Sequence, residues 1–307
     1  FAINTATGVL TVANSSVLNY ETNPIFNFVI KVVDNGNDTL SSQAAITVLL
    51  LDGNENPILQ DQSFLIAENV LNGTTVGFVS AVDPDAGQTL YYTIIPGNNS
   101  NAFAINSSTG ELTVSNSGLL DFETIPEFNL EIEVQDNGSS DLTSQAIVTI
   151  TLQDVNEIPV ITNQIFSVVE NTQNGTSIGT ILATDPDAGQ VLSYYILSGN
   201  SSDAFAINMA TGELTVADST VINFENNPVF SLLVKVQDNG DGNLFSEATI
   251  TVQVLQRNEY PVSIHQNFVV EENASNGTLV GIVAASDPDA GQTLTYTILS
   301  GNTGGAF

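Results

Sequence analysis

Four motifs recur along this chain at one fixed interval. Phe-Ala-Ile-Asn begins at Phe1, Phe103 and Phe205, and Asp-Pro-Asp-Ala-Gly-Gln at Asp83, Asp185 and Asp287. Asn-Gly-Thr begins at Asn72, Asn174 and Asn276, and an Asn-Glu pair at Asn54, Asn156 and Asn258. Every interval is 102 residues, without insertion or deletion. A fixed period of this length restricts the chain to a tandem array of like units, each large enough to close one hydrophobic core.

Within a period the pattern is that of strands. Phe128, Leu130, Ile132 and Val134 alternate with Asn129, Glu131 and Glu133, and Ala146, Val148, Ile150 and Leu152 alternate with Thr149 and Thr151. Period-2 alternation places one face in a core and the other in water. Shorter strands are expected at Phe103–Ile105 and Leu112–Val114, around the turn Ser107-Ser108-Thr109-Gly110, and at Ser63–Ala67, Val76–Val82 and Leu90–Ile95. Asn72-Gly73 reads as a tight turn with positive φ angles. No stretch has helical spacing. Seven short antiparallel strands in about 100 residues describe an all-β, Greek-key sandwich of immunoglobulin-like type.

Proline follows each Asn-Glu pair at Pro57, Pro159 and Pro261. It fixes φ and cannot extend a central strand, so the unit boundaries are set there. The expected division is the C-terminal half of a repeat at 1–57, complete repeats at 58–159 and 160–261, and the N-terminal half of a repeat at 262–307.

Three Lys and Arg residues face 34 Asp and Glu, a net charge of −31. Such a surface repels nucleic acid and anionic membrane and attracts cations. It also opposes compaction unless bound ions offset it. A 42 % hydrophobic content excludes a disordered acidic tail, and no apolar run approaches the roughly 18 residues of a membrane helix. Cysteine is absent, which excludes disulfides and thiolate metal sites. Enzyme chemistry finds no foothold: His265 is a lone histidine without a partner, and Lys31, Lys235 and Arg257 are the only basic side chains. The chain is expected not to be an enzyme.

The acidic motifs follow a fixed order: Glu68-Asn69, Asp83-Pro84-Asp85, Phe103 to Val114, Leu120-Asp121-Phe122-Glu123, Asp136-Asn137-Gly138, then Asp154-Val155-Asn156-Glu157. Asp-Pro-Asp-Ala-Gly alone reads as a turn, and so does Asp-Asn-Gly. Together, repeated at one period, these motifs resemble the cadherin repeat, and the Asn-Glu-x-Pro ending is similar to its bacterial branch. The resemblance covers the whole chain. It implies tandem sandwiches in an elongated rod, outside the cell or at its surface, with Ca2+ as cofactor at the junctions between repeats.

Carried over residue by residue, the resemblance implies a ligand set at each junction. For the middle one it is Glu68, Asp121 and Glu123, the linker Asp154, Asn156 and Glu157, and then Asp185, Asp187 and Asp238. About two or three calcium ions would nearly neutralise these eight carboxylates. The first junction keeps Glu21, Asp52, Asn54, Glu55, Asp83, Asp85 and Asp136, with Asn19 in place of an Asp. The third keeps Glu170, Glu225, Asn258, Glu259, Asp287 and Asp289, with Asn223 and Gln256 in place of two Asp and Arg257 alongside. Fewer or weaker ions are expected there.

The implied function is a calcium-rigidified extracellular array for adhesion, cell-surface extension or matrix. Its partners would be calcium, neighbouring repeats, other copies of itself or cell-surface ligands, with no nucleic acid and no membrane insertion in this segment. Two alternatives stay open. Because the chain runs from Phe1 to the equivalent Phe307, its half-repeats could complete those of other copies head to tail in a filament. It could also be a spacer or carbohydrate-binding module of a secreted enzyme, against which stands the absence of Trp. Several sequons occur, including Asn72, Asn98, Asn106 and Asn200; in a chain so rich in Asn and Ser chance explains most of them, and no glycan is expected from them.

Overall fold

The computed structural model describes residues 1–97 and 100–306; the sequon residue Asn98 and the terminal Phe307 lie outside the described residues. The chain divides into two compact units, Phe1–Val155 and Asn156–Phe307.

In the first unit a four-stranded sheet runs Gln62–Ala67, Thr143–Gln153, Glu127–Gln135, Tyr91–Ile94, in that spatial order. A three-stranded sheet runs Phe103–Ile105, Glu111–Val114, Thr75–Phe78. The alternation seen in the sequence sets the packing. Phe128, Leu130, Ile132 and Val134 are buried while Asn129 and Glu131 face water. Phe103 and Leu112 from the other sheet meet them, and the Phe103 and Phe128 rings stack edge to face at 5.1 Å. Each such side chain contributes about 1.5–3 kcal/mol on burial. Earlier in the same unit, Ile25–Val33 pairs with Ser41–Leu49.

The second unit repeats this plan. Gln164–Val169, Phe245–Leu255, Val229–Gln237 and Ser193–Ser198 form its four-stranded sheet, and Ser177–Thr180, Glu213–Val216 and Phe205–Ile207 the three-stranded one. Phe205 and Phe230 stack at 5.0 Å.

Two local expectations are corrected. The sandwich is not wholly antiparallel: Gln62–Ala67 runs parallel to Thr143–Gln153, and Gln164–Val169 parallel to Phe245–Leu255. The chain first pairs antiparallel, Ile58–Leu59 with Ala81–Val82, and then steps across. Gln62 bridges the crossing by donating to the Ser80 carbonyl and accepting from the Ser80 N–H, each at 3.0 Å. Side-chain alternation is the same for both strand directions, so the pattern could not reveal this. The Asn72-Gly73 turn takes its positive φ from Gly73 alone (+88°). The Asn72 side chain instead accepts the Ser117 N–H at 2.6 Å.

Among the described residues there is no α-helix, and no helix is long and apolar enough to cross a membrane. Single 3-10 turns at Ser15–Val17, Ser117–Leu119 and Ser219–Val221 are capped by Asn14, Asn116 and Asp218. The last two deliver the chain to Asp121 and Glu123, and to Asn223 and Glu225.

Candidate metal centre

The pairs Glu68-Asn69 and Glu170-Asn171 follow directly on the strands Gln62–Ala67 and Gln164–Val169. Asn69, Asn171 and Asn273 take left-handed φ values of 58°, 58° and 64°. Asparagine adopts that region more readily than most residues, which explains its place there. Before Asn69 and Asn171 the glutamate turns inward. Glu68 is 2 % exposed, and its carboxylate accepts the Phe122 N–H at 2.7 Å and the Val155 N–H at 2.9 Å. Glu170 is fully buried and accepts the Phe224 N–H at 3.0 Å and the Arg257 N–H at 2.6 Å. One buried carboxylate thus ties the Leu-Asp-x-Glu segment to the linker.

Three groups of the sequence-derived ligands converge. In the first unit, Glu21, Asp52, Glu55 and Asp85 bring one oxygen each within 4.8 Å of one another, and so do Glu68, Asp121 and Glu123. In the second unit Glu170, Glu225, Glu259 and Asp289 do the same.

The Asp-Pro-Asp turn supplies a buried member of two of these sets, Asp85 in one and Asp289 in the other. Asp85 Oδ2 accepts the Glu55 N–H at 3.0 Å, and Asp83 Oδ1 the Asp85 N–H at 2.9 Å. Asp187 accepts the Glu157 N–H at 2.8 Å, and Asp289 the Glu259 N–H at 2.8 Å. Asp185 and Asp287 accept from Asp187 and Asp289 at 3.0 Å each. Asp85 Oδ1, Asp83 Oδ2, Asp185 Oδ2 and Glu259 Oε2 are buried without a hydrogen-bond partner. A carboxylate oxygen removed from water and left unbonded costs free energy that a cation would recover. Asp154 lies at the end of the first unit.

Like charge marks these sets. Desolvation raises the Glu55 carboxyl above the usual range, and Glu21, Asp85 and Asp52 raise it further. At Glu225 a backbone hydrogen bond pulls down, but desolvation and the charges of Glu170, Glu259 and Asp289 outweigh it, and the net direction is up. Asp185 is raised by desolvation, opposed by a bond from the Asp187 backbone, and raised again by Asp187 and Asp238. Oxygen donors only, several carboxylates and unbonded buried oxygens fit a hard divalent cation such as calcium.

Other sequence-derived residues sit in a different environment. Asp136 Oδ1 accepts the Gly138 and Leu142 N–H groups at 3.0 and 3.1 Å, and its Oδ2 accepts Asn54 Nδ2 at 3.0 Å. Asp238 accepts the Gly240 N–H and Asn156 Nδ2, both at 3.1 Å. Asn258 donates to the Glu259 carbonyl at 3.3 Å. Sequence reasoning assigned no role to the glutamine that ends each Asp-Pro-Asp-Ala-Gly-Gln motif, yet Gln88 donates to both Asn54 and Asp85.

Comparison with known proteins gives the family. The family model described as "Cadherin domain" matches residues 62–153 and 164–255. Protocadherin Fat 4 of Mus musculus is 35 % identical over 91 % of the chain and 6 % of its own length. Protein dachsous of Drosophila melanogaster is 30 % identical over 100 % of the chain and 9 % of its own length. The chain therefore spans only a small part of such relatives. Mouse cadherin-23 EC22-24 is similar in structure, with a TM-score of 0.59 and 28 % identity over 78 % of this chain and 77 % of that one. Protocadherin Gamma B2 extracellular cadherin domains 1-5 gives a TM-score of 0.64 and 27 % identity over 89 % and 54 % of the two chains. Two tandem matches covering more than half of its residues make this chain a member of the cadherin family, of the extracellular, cell-surface type.

Proposed function

We propose that the chain is a calcium-stiffened segment of an extracellular adhesion array, and that it is structural rather than catalytic. The units are the 102-residue periods bounded at Pro57, Pro159 and Pro261. The observation that carries this reading is the convergence of Glu21, from one period, with Asp85, from the next, through the linker residues Asp52 and Glu55. An ion held by such a set ties neighbouring periods together and removes their hinge freedom. Glu170 and Glu225 meet the linker Glu259 and then Asp289 in the same way. Glu68, Asp121 and Glu123 converge within the first unit and offer three further carboxylates to such an ion.

Calcium would supply positive charge among carboxylates whose repulsion otherwise opposes closure. It binds the folded chain and has no comparable site in the unfolded one, so it stabilises by mass action, about 2.7 kcal/mol at a hundredfold excess over Kd. Small-angle scattering and thermal melting in calcium and in chelator test the reading. Chelation should lower the melting temperature and shift the scattering toward a flexible chain; identical curves in both buffers contradict it.

A further inference from the structure

Residues 1–57 present one side of a sandwich whose other side is open. Ile25–Val33 and Ser41–Leu49 form a sheet of two strands. Phe1 meets Phe26 edge to face at 5.2 Å, much as Phe103 meets Phe128 at 5.1 Å. There the likeness to the closed sandwich stops. Val134 is fully buried, whereas Val32, one period earlier, is 66 % exposed. Ile3, Gly8, Ile30 and Val32 line an open hollow of about 500 Å³. A Cβ on Gly110 would strike the Val79 carbonyl and touch the Tyr92 ring, but around a Cβ on Gly8, its counterpart, nothing lies within 4 Å.

Residues 262–306 present the opposite side. Val283 and Tyr296 are 52 % and 58 % exposed, while their counterparts Val79 and Tyr92 are 2 % and 8 % exposed. Among the described residues of this segment only Val262–Ser263 and Ala285–Ser286 pair as strands. In the closed sandwich the matching segments Gln62–Ala67 and Tyr91–Ile94 pair with Thr143–Gln153 and Glu127–Gln135. Open strand edges and contiguous apolar surface both mark a contact face. The closed sandwich states what fits: the side chains missing from one face are those left bare on the other.

We propose that residues 262–306 of a second copy close the open face of residues 1–57. The register follows from the closed sandwich, where Val134 lies opposite Tyr92 and Ile150 opposite Phe64. Val32 then takes Tyr296 of the second copy and Val48 takes its Phe268, with the Tyr296 ring filling the hollow beside Gly8. Two unlike faces meet, so the contact is heterologous, and copies add head to tail rather than closing as a two-fold pair. A repeat adjoining Phe1 would bring the same pattern to this face and compete with the second copy.

The test uses the full chain at about 0.15 M salt, where charges beyond about 8 Å are screened. In sedimentation the average mass should rise with concentration above that of one chain; a single-chain mass at every concentration overturns the proposal. The chain has no cysteine, so introduced pairs report the register. Glu133 lies opposite Thr93, which sets Lys31 opposite Thr297 of the second copy, and both are exposed. Lys31→Cys with Thr297→Cys should cross-link under oxidised glutathione into a ladder of two, three and more chains. Lys31→Cys with Asn267→Cys should give no ladder, because Thr149 lies opposite Ser63 and Asn267 would therefore stand beside Thr47, one strand further on. Equal ladders from both pairs would mean unspecific sticking and overturn the proposal, as would cross-links confined to single chains. Where a variant fails to fold, sedimentation of the parent chain decides.

Discussion

Gln256 donates through Nε2 to the Asp289 carboxylate at 2.8 Å. One period earlier the residue in its place is Asp154. An amide therefore stands in the third junction where an acid stands in the second, and it occupies an Asp289 oxygen by hydrogen bonding. A second amide does the same nearby, because Asn223 donates to Glu225 at 3.2 Å. Calcium affinity follows the number of charged ligands. Gln256→Asp should tighten the weakest calcium step of the full chain by about tenfold, or about 1.4 kcal/mol. Isothermal titration of both chains checks this, and an unaltered weakest step contradicts it.

Glu68 and Glu170 have a role independent of any ion. Each accepts two backbone N–H groups from inside the fold. Removing the carboxylate leaves buried donors without partners. Glu170→Ala should lower stability by roughly 2–4 kcal/mol even in chelator. Glu225→Ala, at an exposed position, should lower stability only when calcium is present, and in chelator should leave it unchanged or slightly raised by removing one of the crowded charges. Urea unfolding in both buffers separates the two effects.

The period and the alternation of Phe128 to Val134 made the sandwich legible, since burial of one face is written at every second residue. The acidic groups were legible too, because the motifs repeat in fixed order. What stayed hidden was relational. Gln88 meets Asn54 from 34 positions away in the sequence, and Gly138 reads as an ordinary turn glycine until the linker docks on it. Asn69 looked like part of a ligand motif, whereas its left-handed φ shows why that residue type follows the glutamate. The parallel first strand was invisible because pairing direction leaves no mark on side-chain period.

The raised carboxyls set a pH dependence whose sign differs with and without calcium. Glu55 and Glu225 are raised from 4.5 and Asp185 from 3.8. A carboxyl with a raised folded value destabilises the fold while ionised in both states. That penalty is present in full above the folded value, shrinks as pH falls through it, and is gone below the unfolded value. In chelator these groups should make the melting temperature rise as pH drops from neutral toward about 4.5. In saturating calcium the trend should reverse, because protons displace the ion. Melting curves from pH 7.5 to 5, with about 1 mM calcium or with chelator, check both directions; parallel trends in the two buffers contradict the assignment.

Gly138 and Gly240 offer a test of the packing that needs no metal at all. Neither has a positive φ, so alanine there meets no backbone strain and only the added methyl group matters. That methyl overlaps the Asn54 or Asn156 amide. Gly138→Ala and Gly240→Ala should each cost about 1–3 kcal/mol, as overpacking does. Gly36, in the equivalent Asp34-Asn35-Gly36 turn, is the control, since its added Cβ would meet only the Asp34 side chain at an ordinary 3.5 Å. Gly36→Ala should be neutral or slightly stabilising through the unfolded chain. Denaturant melts of the three variants in chelator decide the matter: equal losses at all three positions would mean that glycine serves the turn itself, whereas loss at Gly138 and Gly240 alone assigns it to the docking of the linker asparagine.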